Sequence, residues 1–277
     1  MNDISPSTSD TKSHWEKKAD AWSEWADPMQ VMAAKFNTPL LDAAKLTTGQ
    51  HVLDLASGAG EPAISASQIV GPTGFCCATD FVPQMLEGIQ KRKGAEGLII
   101  SAADMQALPF TNCSFDRIIC RFGIMFAPDT NKVISELHRV LRPNGRIALM
   151  VWGKREDQTL FQCFSNAIET VCGIKPDAHH YNIFRFGKEG SLSKYFNGSH
   201  FINIEESLHN FSAKILIEKP FWKAQLNMSF SHILKDLDFD QKEKLDMAIK
   251  SELMKTQENG KYVLTNNIRI LTASLAY

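Results

Sequence analysis

No apolar run in this chain approaches the ~20 residues that a helix needs to cross a bilayer, so no transmembrane span is expected. Its six cysteines include no C-x-x-C pair and join no histidine at zinc spacing, which points away from a redox pair and from a bound metal. Charge of one sign is missing too. Thirty Lys and Arg face 31 Asp and Glu, a formal net charge of -1, leaving no global field to draw in nucleic acid or an anionic membrane. The stretch Met1 to Ser13 is polar and lacks the apolar core of a signal peptide, so it is expected to be a disordered tail. Unpaired cysteines and no leader together suggest a cytoplasmic protein. Repeats and low-complexity segments are absent as well.

What is present is enough apolar material for one large domain: 44% of 277 residues. The most informative stretch is Val52-Leu53-Asp54-Leu55-Ala56-Ser57-Gly58-Ala59-Gly60. A buried strand runs into two close glycines, and Pro62 stands where a helix begins. Glycine lets backbone N–H groups approach a ligand with no Cβ in the way, so this is a strand–loop–helix hinge for a nucleoside-containing ligand. Two ligands satisfy the spacing. Gly58-Ala59-Gly60-Glu61-Pro62-Ala63 fits the dinucleotide pattern, with Asp80 near the distance expected of an acid on a ribose. Shifted back, Asp54-x-Ala56-x-Gly58-x-Gly60 resembles motif I of class I S-adenosylmethionine-dependent methyltransferases, with Ala56 in place of the usual first glycine.

Downstream residues separate the two. Gly74 to Asp80 reads as a second buried strand ending in an acid able to accept both hydroxyls of a ribose, and Phe81 follows as a cover for one face of an adenine. Met85-Leu86 opens the next helix, and Cys76-Cys77 point to opposite faces of their strand as small apolar residues. Then come Ala103-Asp104-Met105-Gln106-Ala107-Leu108-Pro109-Phe110, a strand at Phe115–Cys120, and a helix–turn–strand run from Glu136 through Leu141-Arg142-Pro143-Asn144-Gly145 to Leu149. Four motifs in this order over about residues 50–152 resemble the UbiE-like, methyltransferase type 11 branch of the class I family. The resemblance implies S-adenosylmethionine as cofactor, no metal, and the Asp104–Met105 pair as readers of adenine. A hydride-transferring enzyme of the Tyr-x-x-x-Lys type is excluded: Tyr181, Tyr195 and Tyr262 are followed four residues later by Arg185, Ser199 and Asn266.

Alternation of strands and helices from Gln50 to Trp152 predicts a parallel, doubly wound sheet. With the resemblance, the expected fold is a Rossmann-like α/β sheet of seven mostly parallel strands with the last antiparallel. Residues 14–46 read as N-terminal helices broken at Asp27-Pro28, with Trp15, Trp22 and Trp25 on one face; in relatives such helices form a lid. Residues 47–277 form the remaining domain. After Gly153, helices are expected at Thr159–Cys172 and Lys188–Asn197, strands at Phe201–Ala213 and Tyr262–Leu275, and a helical cap insertion at about 216–257.

Strand ends at one sheet edge nominate Asp54, Ala56, Gly58, Gly60, Asp80, Asp104 and Arg121 for the cofactor, and the resemblance adds Phe81, Met85 and Met105. Arg121 is unusual at the end of an apolar strand, where a charge needs a partner: Asp54, Asp104 or a methionine carboxylate. Trp22, Trp25, Phe122, Met125 and Tyr181 are nominated for the acceptor, and His179 or His180 for a general base. His14 is a lesser candidate, while His51 and His138 read as structural. The aromatic cap and lid, including Phe184, Phe186, Phe221 and Trp222, favour a small lipophilic or aromatic acceptor methylated on O, N or C. A nicotinamide-dependent oxidoreductase and a non-catalytic S-adenosylmethionine-binding protein are the competing readings.

Overall fold

A computed structural model describes residues 7–26, 30–174, 183–218 and 220–276. The central sheet contains β1 (His51–Leu55), β2 (Phe75–Asp80), β3 (Leu98–Ala102), β4 (Phe115–Arg121), β5 (Leu141–Trp152), β6 (Phe201–Leu216), the two-residue β7 (Gln257–Glu258) and β8 (Lys261–Leu275). Their order is β3-β2-β1-β4-β5-β8-β6, with β7 paired to β8. The strands β3 to β5 pair in parallel, and β8 runs antiparallel to both β5 and β6. This is the expected Rossmann-like sheet. The chain passes from β1 out to β2 and β3, then crosses to β4 on the other side. Such a reversal opens a crevice at the carboxyl ends of the strands.

Strand period explains the two layers. Leu53, Leu55, Cys77, Ile118, Cys120, Ile147 and Leu149 face one core, covered by α6 (Thr130–Val140). Val52, Cys76, Ala78, Ile119, Ala148 and Met150 face the other, covered by α3 (Gln30–Ala44), α4 (Ala63–Val70) and α5 (Pro83–Gln90). Cys76 and Cys77 thus pack on opposite faces, and burial pushes both thiols up, Cys77 to about 11.

A third core joins α7 (Thr159–Cys172), α8 (Trp222–Leu234) and α9 (Phe239–Met254). The last two are the insertion between β6 and β8. Phe221 and Trp222 belong to this core, where the Trp222 indole N–H donates to Asp246 Oδ1 at 3.2 Å, so these aromatic residues of the cap pack within it. Phe186 is likewise buried in the first core.

Two local expectations change. Residues 8–13 are helical: α1 (Thr8–Glu16) starts at a capping box in which Ser7 accepts from the Asp10 backbone N–H and Asp10 accepts from that of Ser7. That reciprocal cap satisfies donors that a polar tail would leave to water. The segment 188–197 is turns with a short 3-10 stretch at Ser193–Phe196, because Gly190 takes φ +77° inside it. Helix α2 (Ala19–Trp25) follows α1, and the Asp27-Pro28 break lies outside the described residues. Among the described residues no helix is long and apolar enough to cross a membrane.

Candidate active site

One cavity of about 310 Å³ lies over the carboxyl ends of the parallel strands. Its floor is the turn after β1 (Ala56 to Ala59, with Glu61), the ends of β2 and β4, and the Ala103–Gln106 loop. Its roof comes from the lid (Thr8, Thr11, His14, Trp15, Lys18, Trp22) and from α8 of the cap (Gln225, Met228, Ser229, Phe230, His232).

The turn owes its shape to positive φ. Gly58 sits at +51°, and a Cβ there would meet nothing within 4 Å, so the backbone borders open space. Ala56, unusually for a residue with a Cβ, sits at +52°. Room for its methyl comes from Gly123, where an added Cβ would lie 2.5 Å from the Ala56 Cβ. Gly60 (φ +102°) turns inward against Ile64 and Ile89 instead of toward the cavity. Asp54 is also behind the wall, fully buried, with neither carboxylate oxygen hydrogen-bonded. Burial raises its pKa to about 7. Both residues shape the hinge from beneath the cavity floor.

At the end of β2, Asp80 Oδ2 accepts from the Gly58 N–H and Oδ1 from the Val82 N–H, each at 3.0 Å. Burial raises its pKa in spite of these donors. Each oxygen retains a lone pair for another donor. Phe81, Met85, Asp104 and Met105 line the same region. Gln106 ties it together: its backbone N–H donates to Asp104 Oδ1 at 2.9 Å, its Oε1 accepts from the Asp129 N–H at 2.9 Å, and its amide donates to Thr8 Oγ1 at 3.2 Å.

Arg121 lines the floor and donates to Asn37 Oδ1 at 2.9 Å. Asn37 in turn donates to Glu61 Oε2 at 2.7 Å. Arg92 lies 3.6 Å from Glu61 Oε1 and donates to the Ala59 carbonyl at 2.8 Å. Arg121 therefore answers to Asn37 and, electrostatically, to Glu61 before Asp54. Arg92, Glu61 and Asn37 were not singled out from sequence. In the run Lys91-Arg92-Lys93 the outer two look like ordinary helix-end cations, and nothing in that spacing tells that Arg92 is only 7% exposed.

Aromatic residues wall the end near β4 and β5. Phe122, at φ +60°, stacks on Trp152 with ring centroids 4.1 Å apart, and Phe36 meets both edge-on. A bulky side chain in the left-handed region is an outlier of the kind found at functional sites. Trp22 and Met125 also line the cavity, and the buried Trp22 indole N–H has no hydrogen-bond partner. His179, His180 and Tyr181 lie outside the described residues, as does the side chain of Trp25. His14 lines the roof; His51 instead meets Arg142 at 2.9 Å and His138 packs on His200, both away from the cavity.

Residues 33–179, just over half of the chain, match the family described as ubiE/COQ5 methyltransferase. The chain belongs to this family. The match to the ubiE/COQ5 family covers β1 to β5, the part of the fold that forms the cavity floor. An uncharacterised protein of Mycobacterium tuberculosis is 36% identical over 134 residues, 48% of this chain and 48% of that protein. The ubiquinone/menaquinone biosynthesis C-methyltransferase UbiE of Pseudoalteromonas translucida is 35% identical over 120 residues, 42% of this chain and 48% of that protein. The matched region thus spans about half the length of these curated relatives. Among solved structures, phosphoethanolamine N-methyltransferase 2 of Haemonchus contortus superposes with a TM-score of 0.54 at 19% identity, covering 88% of this chain and 53% of that one, a likeness of fold.

Proposed function

We propose that this chain transfers a methyl group from S-adenosylmethionine to O, N or C of a small aromatic or lipophilic acceptor. The observation that carries the reading is the single cavity joining the glycine turn, two strand-end acids and an aromatic wall.

The residues present fit the cofactor. Asp80 offers carboxylate oxygens to a ribose diol, Phe81 and Met105 offer apolar faces to adenine, and Asp104 offers an acceptor to its exocyclic amine. Open space beside Gly58 admits the ligand to the turn, and Arg121 supplies a cation on the same floor. When bound, S-adenosylmethionine supplies a sulfonium-linked methyl carbon that is already electrophilic. The protein's part is alignment and exclusion of water. Held reactants react as if at very high concentration, up to about 7–11 kcal/mol of barrier. Phe122, Trp152, Phe36 and Met125 hold the acceptor dry, while the lid closes over the strand ends. The nominated histidines His179 and His180 remain candidates for the proton of a hydroxyl acceptor.

Calorimetric titration with S-adenosylhomocysteine tests this reading. Micromolar binding by the wild type and its loss in Asp80→Ala are expected. Heat from NADPH with none from S-adenosylhomocysteine would favour the oxidoreductase reading and overturn this one.

A further inference from the structure

The seam between lid and cap holds a cation that, among the described residues, forms no ion pair with an acid. Lys18 lies at the start of α2, is only 7% exposed and lines the cavity roof. Its ammonium donates to the Ser229 carbonyl at 2.9 Å and lies 5.4 Å from the centre of the Trp15 ring. An ammonium has three N–H donors, so one carbonyl leaves two unused. The cavity's three described carboxylates are engaged elsewhere: Glu61 with Arg92 and Asn37, Asp80 with two backbone N–H groups, Asp104 with Gln106. None of them forms an ion pair with Lys18.

Two imidazoles share the seam. His14 of α1 and His232 of α8 have ring centroids 5.6 Å apart and both line the cavity. Burial first, and Lys18 next, holds their pKa values down, to about 3 and about 4. Both are neutral at ordinary pH, so each carries one N–H donor. Burial lowers Lys18 to about 8, and the one described acid that acts on this seam, Asp236, acts on His232 instead. Around this point the roof is apolar and aromatic: Trp15, Trp22, Met228 and Phe230.

Isolated buried charge is costly unless it is paired. The geometry points to an acceptor that supplies the missing anion: an aromatic compound bearing a carboxylate, held by Lys18 with His14 and His232 beside it. This specifies the acceptor class of the methyl-transfer reading and rests on it. Lys18 shares no hydrogen bond with the glycine turn, where Arg121 already provides a cation for the cofactor. Lys18 is accordingly a specificity residue for the acceptor.

Benzoate and its neutral isostere benzamide are the probes, titrated into the full chain saturated with S-adenosylhomocysteine. Wild type is expected to prefer benzoate by at least about tenfold, the worth of one charge-assisted hydrogen bond. Lys18→Met, which keeps the apolar length of the side chain, should erase that preference and Lys18→Arg should restore part of it. S-adenosylhomocysteine affinity should stay within about twofold in both variants, which shows that the fold and cofactor site are intact. Equal or absent uptake of the two probes by wild type, or a preference that survives Lys18→Met, overturns the inference. So does a loss of S-adenosylhomocysteine affinity in Lys18→Met, which would assign the ammonium to the cofactor's own carboxylate. Selective benzoate uptake by a chain that binds no S-adenosylhomocysteine would keep the anion site and overturn the methyl-transfer reading instead.

Discussion

Asp54 shows how a residue can be legible in type while its surroundings are not. Its position before the glycines marks it for the site, and the side chain is fully buried. Burial raises its pKa from 3.8 to about 7. A folded-state pKa above the unfolded value means the folded protein binds this proton more tightly. Its stabilising contribution is complete below about pH 4 and is lost as pH rises toward 7. A shift of this size corresponds to at most about 4 kcal/mol. Urea unfolding of wild type should therefore show stability falling between pH 4 and 7, and Asp54→Asn should flatten that slope. A slope unchanged in the variant would assign the titration to another group.

The neighbouring pair Ala56 and Gly123 carries a second residue-level prediction. An alanine at φ +52° costs roughly 1 kcal/mol that glycine avoids. Ala56→Gly should raise stability by up to about that amount, while Gly123→Ala should lower it, since the new Cβ would lie 2.5 Å from Ala56 and 2.9 Å from Cys120 Sγ. Denaturation midpoints read both. The spacing of the motif shows that Ala56 departs from the usual glycine. That the chain accommodates it with a second glycine 67 positions later in sequence is visible only once β1 and β4 are paired.

At the scale of elements, strands and helices with strong periodicity are read correctly and those decided by a single special residue are not. Helix α7 has the bounds expected, Thr159–Cys172, because a continuous apolar stripe packs on the cap helices. The segment 188–197 has a similar stripe, but Gly190 breaks it. Helix α1 escapes a composition-based reading because its stability rests on two reciprocal hydrogen bonds at Ser7 and Asp10, not on an apolar face. Ser7→Ala should remove about 1 kcal/mol from that helix. Amide exchange should then quicken in residues 8–16 and leave β1 to β5 unaffected. The counterpart lies just beyond the C-terminal end of α5. Arg92 reaches back to Glu61 and the Ala59 carbonyl, so Arg92→Met would leave a buried carboxylate without its cation, held by Asn37 and Ser65 alone. A loss of about 3–5 kcal/mol in unfolding free energy is expected, much more than for Lys91→Met or Lys93→Met on either side.

Across the whole molecule, the cavity is made where three units meet: the strand ends, the N-terminal lid and the cap inserted between β6 and β8. A ligand that binds there only in the folded state stabilises that state by mass action. S-adenosylhomocysteine at about 100 times its dissociation constant should contribute about 2.7 kcal/mol, raising the thermal midpoint by roughly 5–10 °C. Limited proteolysis should show the same ligand protecting the lid helices. Ligand-induced stabilisation with no added lid protection would mean that the lid does not close on the cofactor.

The amino-acid order alone determined the strand period, the glycine turn, the acids at the ends of β2 and β3 and the parallel sheet they imply. Those features follow from local rules: alternation of buried side chains, φ values open to glycine, and short connections. Tertiary structure decided which polar groups meet. Asn37 joins Arg121 to Glu61, Lys18 reaches Ser229 across 211 positions, and His14 faces His232. Contacts of that separation arise from packing whole elements against each other, and no pattern within either segment encodes its partner. That is also why residues lining the cavity floor are legible in the sequence, whereas the lid–cap seam is not.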